Sequence, residues 1–212
     1  VANNVRLVDG ACITKPQQDK RKLAISYGSQ IILGRLGIWQ NLENVTPINQ
    51  VHVSHRGHFG QLLLKKENLG IPALGYVVSY NELQYQLLCG AKDAGVEVIE
   101  NSPVFSLLNQ GESALVKVKQ SNGELELPTR LAVIADGGSL LAKKTMQNYK
   151  EKHYDQSALL AIVDTDKAHN NLAYERFTEN GPIALLPFGK SYALVWIDKP
   201  YRSDKRVEID NI

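Results

Sequence analysis

Between Tyr154 and Ile197 four short apolar segments are separated by turn-forming residues, and an antiparallel sheet is the arrangement that absorbs such a pattern. The segments are Leu159 to Val163, Ala173 to Thr178, Ile183 to Leu186 and Tyr192 to Ile197. Asn180-Gly181 and Phe188-Gly189-Lys190-Ser191 supply the turn chemistry between neighbours. Alternation along the second segment predicts Tyr174 and Arg176 on one face of its strand and Glu175 and Phe177 on the other. Either pair could line a pocket; edge charges and core aromatics would give the same letters.

Other stretches read differently. From Ser29 to Leu42, Ile31, Ile32, Leu36, Trp39 and Leu42 recur at helical spacing, which predicts one amphipathic helix. Pro47 ends that pattern, and Val51 to Val53 with Leu62 to Leu64 predict two strands around His55-Arg56-Gly57. Gly75 to Val78, a helix carrying Leu83, Leu87, Ala91 and Ala94, and a strand through Val96 and Val98 read as a strand–helix–strand crossover. Val116 and Val118 alternate with lysines and Leu125 and Leu127 with glutamates; Asn122-Gly123 between them predicts a half-exposed hairpin. Leu131 to Ala135 is uninterruptedly apolar and predicts a strand buried on both faces, ending in Asp136-Gly137-Gly138-Ser139.

The 212 residues suffice for one ordinary domain or two small ones, and 43% hydrophobic with 22% charged residues is the composition of a folded globular chain. A formal charge of +2 gives no field of the kind nucleic acids require, so no nucleic-acid partner is expected. No apolar run approaches the length of about 20 residues that a spanning helix needs. Cys12 and Cys89 stand far apart in no metal-ligand or Cys-x-x-Cys spacing, which favours a reducing compartment. There is no internal repeat and no low-complexity linker.

Three constellations could carry chemistry. His52, His55 and His58 recur every three residues, but on a strand such residues point to opposite faces, so no metal site is expected. Asp136-Gly137-Gly138 at a strand end suits a ribose hydroxyl or a pyrophosphate approached by backbone N–H groups, and is equally a good turn. Arg21, ahead of the first helix, could grip a phosphate through its guanidinium fork or simply belong to a solvated basic loop. No Gly-x-Ser-x-Gly elbow, Walker loop, His-Glu-x-x-His or Gly-x-Gly-x-x-Gly stands in the sequence, so hydrolase, nucleotide-hydrolysing and zinc-protease readings lack support.

Taken in order, Asp19-Lys20-Arg21, Ala24 to Ser29, Leu36 to Trp39, His52 to Gly60, Ala73 to Val78, Ala135 to Ser139, Glu175 to Thr178 and Gly181 to Pro187 resemble the FAD-dependent monooxygenases of ubiquinone biosynthesis. The resemblance runs from about Asp19 to Ile197. It implies the para-hydroxybenzoate hydroxylase fold, of the mixed α/β (α+β) class: a partial FAD-binding, Rossmann-like domain with a largely antiparallel substrate sheet threaded into it. Residues 1–48 and 75–145 would form part of the FAD domain, and 49–74 and 146–212 the substrate domain. Arg21, Asp136, Gly137 and Gly138 match cofactor-binding positions, and Arg176, Phe177 and Pro187 are candidates for the ring pocket. The implied activity passes one oxygen atom from O₂ to an electron-rich polyprenyl phenol, with NAD(P)H reducing FAD. It requires no nucleophilic side chain and designates no catalytic residue.

The family's Gly-x-Gly-x-x-Gly turn should precede Val1 and its second Gly-Asp motif should follow Ile212, so the chain is expected to be a central section, inactive alone. Ser54-His55-Arg56-Gly57 stands where the family often has Ser-Asp-Arg-Gly, and no role is carried to that acidic position. A cytoplasmic protein with at most peripheral contact with the inner membrane is expected, with other ubiquinone-biosynthesis proteins as possible partners. Two rivals stay open: a non-catalytic lipid-binding or assembly module, and a flavin hydroxylase of a small aromatic acid, for which Arg176 would clamp the carboxylate.

Overall fold

The structure is a computed structural model that describes residues 4–12, 21–137, 140–145 and 149–208. Among these the chain runs β1 (Arg6–Val8), β2 (Lys22–Ser26), α1 (Tyr27–Arg35), β3 (Thr46–Ile48), β4 (Gln50–His55), β5 (Gln61–Lys65), β6 (Gly75–Ser79) and α2 (Tyr80–Asp93). It continues through β7 (Glu97–Ile99), β8 (Val104–Asn109), β9 (Ala114–Gln120), β10 (Gly123–Thr129) and α3 (Leu140–Thr145). The last elements are β11 (Ser157–Val163), β12 (Leu172–Thr178), β13 (Gly181–Phe188), β14 (Ser191–Asp198) and α4 (Pro200–Val207). No helix among the described residues is long and apolar enough to cross a membrane.

The chain divides into two compact units, one of residues 1–17 and 88–152, the other of 18–87 and 153–212. This is a division by packing, whereas the domain limits read from the sequence concern what each part would hold.

In the first unit β1 pairs parallel with β7, and β10-β9-β8 forms an antiparallel sheet around Val118 and Leu127. The predicted hairpin is there, with Ser121 and Asn122 as its loop and Gly123 at φ +135°. Buried Ser102 ties the layers: its N–H donates to the Asp9 carbonyl at 2.8 Å and its hydroxyl to the Glu100 carbonyl at 3.0 Å. Two expectations are corrected here. Leu131 to Ala135 is not a strand, and Leu131 and Val133 are 77% and 78% exposed. An apolar run becomes a buried strand only where neighbours satisfy its backbone, and no described strand pairs with it. The segments flanking α2 are strands, but they make no crossover within one sheet: β6 pairs with β2 and β3, and β7 with β1.

The second unit holds the six-stranded sheet β11-β14-β13-β12-β4-β5 and the three-stranded sheet β2-β6-β3. All four strands expected after Tyr154 form, with antiparallel neighbours; the one parallel junction joins β12 to β4. One face of the larger sheet supplies Val51, Ala173, Leu186 and Phe188 to a core shared with Ile48, Val77 and Leu74. Gly75 belongs to this region by necessity, since a Cβ there would stand 2.6 Å from the Ile25 carbonyl oxygen across the β2–β6 pair.

The expected helix over Ser29 to Leu42 is shorter than its apolar spacing predicts. Ser26 caps α1, its hydroxyl accepting the Ser29 N–H at 3.1 Å. Gly37, at φ +72°, closes the other end, with the Ile38 N–H donating to the Leu33 carbonyl at 2.9 Å. The stripe is thereby cut: Ile38 is buried past the break, while Ile32 and Leu36 stay exposed.

Candidate functional site

The face of the six-stranded sheet turned away from that core carries a pocket of about 310 Å³ lined by His52, Ser54, Tyr174, Arg176, Ile183 and Leu185. Strand register assembles it. The parallel β4–β12 pairing sets Tyr174 beside His52 and Arg176 beside Ser54. The antiparallel β12–β13 pairing then sets Leu185 beside Tyr174 and Ile183 beside Arg176. Because side chains alternate along a strand, all six point the same way.

The pocket has an apolar wall and a polar wall. Ile183 and Leu185 form the first. On the second, the Arg176 guanidinium donates to the Ser54 hydroxyl at 3.4 Å. His52 Nε2 lies 2.7 Å from Gln61 Oε1. An amide oxygen only accepts, so this bond keeps the proton on Nε2 and leaves Nδ1 of the neutral ring as an acceptor. The His52 and Tyr174 rings sit 5.7 Å apart, and Tyr174 is followed at 6.2 Å by Tyr192, whose phenol is held above its ordinary range by burial and then by Tyr174. Beyond it His169 is pinned from both sides: Nδ1 accepts the Asn171 N–H at 3.0 Å, and Nε2 donates to the Gly189 carbonyl at 2.9 Å.

The expected site residues fall in several places. Arg176 lines the pocket. Pro187 shares its sheet face, two residues along β13 from Leu185, and is fully buried without lining the pocket. Phe177 is on the opposite face, 43% exposed, its ring stacked 6.4 Å from that of His55. Arg21 is exposed in the second unit; its guanidinium lies over the Tyr80 ring at 4.2 Å and its carbonyl accepts the Tyr80 N–H at 3.1 Å. Asp136 and Gly137 are exposed in the first unit, with Gly137 at φ +72° and open space where a Cβ would project. Gly138 lies outside the described residues.

His52 and Ser54 escaped the sequence reading as pocket residues. The available signal was their parity, which matches that of Tyr174 and Arg176, but it acquires meaning only when β4 and β12 are known to be neighbours. His52 and His55 do point to opposite faces of β4, and the His55 ring meets that of His58 edge-on at 4.2 Å. Among the described residues no three His, Cys, Asp or Glu side chains gather as metal ligands.

No family model matches the chain. It is 26% identical over 219 residues to the mitochondrial ubiquinone biosynthesis monooxygenase COQ6 of Dictyostelium discoideum, covering 88% of this chain and 44% of that protein. It is 27% identical over 194 residues to the 3-demethoxyubiquinol 3-hydroxylase of Escherichia coli strain K12, covering 90% and 49%. The chain thus spans less than half the length of these curated relatives, and the resemblance to ubiquinone-biosynthesis monooxygenases is borne out. Among solved structures, p-nitrophenol 4-monooxygenase PnpA from Pseudomonas putida DLL-E4 superposes with a TM-score of 0.76 at 12% identity, over 97% of this chain and 55% of that one. The flavin-dependent halogenase CmlS gives 0.77 at 15% identity, over 98% and 39%. The mixed α/β fold expected from the sequence is therefore the fold found in part of these flavin enzymes.

Proposed function

We propose that this chain is part of an FAD-dependent aromatic hydroxylase of ubiquinone biosynthesis, and that the pocket on the open face of the six-stranded sheet receives the ring of a polyprenyl phenol. The observation that carries this reading is the pairing, within one pocket, of an apolar wall with a histidine acceptor and a guanidinium. A phenol presents the matching surfaces: an apolar ring and one weakly acidic hydroxyl. The similarity to ubiquinone-biosynthesis enzymes supports a phenol of that pathway. In this reading residues 1–48 and 75–145 serve the cofactor and residues 49–74 and 146–212 the substrate.

The residues read as cofactor-binding fit FAD in their chemistry. Arg21 offers a planar fork of N–H donors whose face rests on Tyr80, a suitable grip for phosphate. Asp136 offers a carboxylate for ribose hydroxyls, and Gly137 leaves its backbone open to close approach. When bound, FAD would supply the oxygen-activating chemistry, with NAD(P)H as its reductant. The chain's own side chains position the acceptor. Ile183, Leu185 and Tyr174 hold the ring and exclude water from it. His52 Nδ1 accepts the hydrogen of the ring hydroxyl, and Arg176 stabilises negative charge on its oxygen, which enriches the ring in electrons. A polyprenyl tail favours a bilayer, so peripheral contact with the cytoplasmic side of the inner membrane belongs to the same reading.

Aerobic NAD(P)H oxidation by the FAD-loaded full-length protein, with and without a polyprenyl phenol, tests it. The expected result is oxidation stimulated by the phenol, with a loss of roughly tenfold or more in kcat/KM for Arg176→Ala and for His52→Phe. Failure to retain flavin, or indifference to the phenol, would overturn the proposal. Arg176 also favours a second reading, hydroxylation of a small aromatic acid. Stimulation by an aromatic carboxylate in place of the polyprenyl phenol would select that one.

A further inference from the structure

Every residue of β5 is exposed, and among the described residues no strand pairs with its outer side. Leu62, Leu63 and Leu64 are 54%, 40% and 43% exposed, so the strand shows leucine to solvent on both of its faces. Natural sheets guard such an edge with a central charge, a proline, a bulge or a covering element. Among the described residues none of these guards β5. It pairs with β4 without a register break and contains no proline, and its one charge, Lys65, stands at its last position. The other edge of the same sheet, β11, has α4 packed against it.

We propose that β5 is a self-association edge, pairing antiparallel with β5 of a second copy of this chain about a two-fold axis at Leu63. A second copy is selected by the sequence of the strand itself. Two-fold pairing centred on Leu63 sets Leu62 against Leu64 of the other copy and Leu63 against its own equivalent, while Gln61 faces Lys65. Apolar side chains therefore meet apolar ones on both faces, and no two like charges stand opposite each other. Both copies also satisfy the open backbone groups that β5 now presents to water.

The same axis accounts for two further exposed side chains. It brings the hairpin tip of one copy, with the wholly exposed Phe59, alongside the Lys66–Leu69 turn of the other, where Leu69 is 65% exposed. The large sheet becomes continuous through both molecules. An edge of five residues with one aromatic contact at each end is a small interface, so the association belongs to the micromolar range rather than to permanent dimers.

Sedimentation equilibrium of the full chain across the micromolar range tests the proposal. The expected result is a monomer–dimer equilibrium that Leu63→Lys weakens at least roughly tenfold, because it sets like charges against each other at the axis. In a Cys12→Ser, Cys89→Ser background, Leu63→Cys is expected to form an intermolecular disulfide with oxidised glutathione, and Leu160→Cys on the opposite edge is not. A chain monomeric at every concentration, open-ended polymers in place of dimers, or equal cross-linking from both edges would overturn it.

Discussion

At Glu175, β12 turns a carboxylate toward Val53 and Ala184, on the face of the sheet opposite the pocket. Burial raises its pKa, and among the described residues no cation there favours the charged form. A carboxyl whose folded pKa lies above its unfolded value costs nothing while both states are protonated, and loses stability as pH rises through the folded pKa. Glu175→Gln is therefore expected to raise the melting temperature at pH 7 and to leave it unchanged below the ordinary glutamate range. Thermal unfolding followed by circular dichroism at the two pH values checks both halves. Arg176, one residue on, has the opposite situation: it faces an open pocket and makes a long hydrogen bond to Ser54. Alternation along the strand was enough to separate these two residues in the sequence. It could not say which face would be covered, because that depends on the β2-β6-β3 sheet packing beneath Ala173 rather than on β12 itself.

Elements show the same boundary between what local chemistry dictates and what packing decides. The β13–β14 hairpin and its neighbours were legible because turn residues and apolar spacing agree there. Leu131 to Ala135 was misread because an apolar run carries no information about its partner. In the β12–β13 turn, Gly181 combines φ +143° with a backbone so close to β14 that a Cβ would lie 2.4 Å from the Ile197 carbonyl oxygen. Gly181→Ala should thus cost on the order of 2–4 kcal/mol, read as a drop in the urea midpoint, whereas alanine at solvent-facing Lys190 should change little.

The end of β14 is fixed by charge. Buried Asp198 accepts the Lys199 N–H at 2.7 Å and Arg206 Nη2 at 2.7 Å, and the Arg206 guanidinium lies over the Trp196 ring at 4.0 Å. Burial pushes the Asp198 carboxyl up, but Arg206, the Lys199 N–H and Arg202 outweigh it and hold the pKa below the ordinary value. A depressed carboxylate stabilises above its unfolded pKa and ceases to do so as pH falls through its folded one. Asp198→Asn should accordingly lower the melting temperature at pH 7, with the difference from the parent shrinking steadily in acid. A pH series of thermal melts would expose any departure from that trend.

Over the whole molecule, the sheet that carries the pocket is built from two distant stretches of sequence, and the intervening 88–152 belongs to another compact unit. Ser54 and Arg176, bonded in the pocket, are 122 residues apart in the chain. Motif order carried the resemblance and the mixed α/β fold, and of the expected ring-pocket residues only Arg176 lines the pocket; the register between β4 and β12, which adds His52 and Ser54, is a property of the assembled molecule. If that junction opens only when the sheet does, amide exchange at the β4 positions bonded to β12 should follow that of their β12 partners, which hydrogen exchange by NMR would resolve.

During synthesis the same parallel junction imposes a delay. At about 5–20 residues per second, the β4–β5 hairpin emerges from the ribosome roughly ten seconds before the strand that completes its sheet. Throughout that interval the backbone edge of β4 that β12 later takes up lies open beside the three leucines of β5, and the late strand covers that edge while leaving the leucines at the surface.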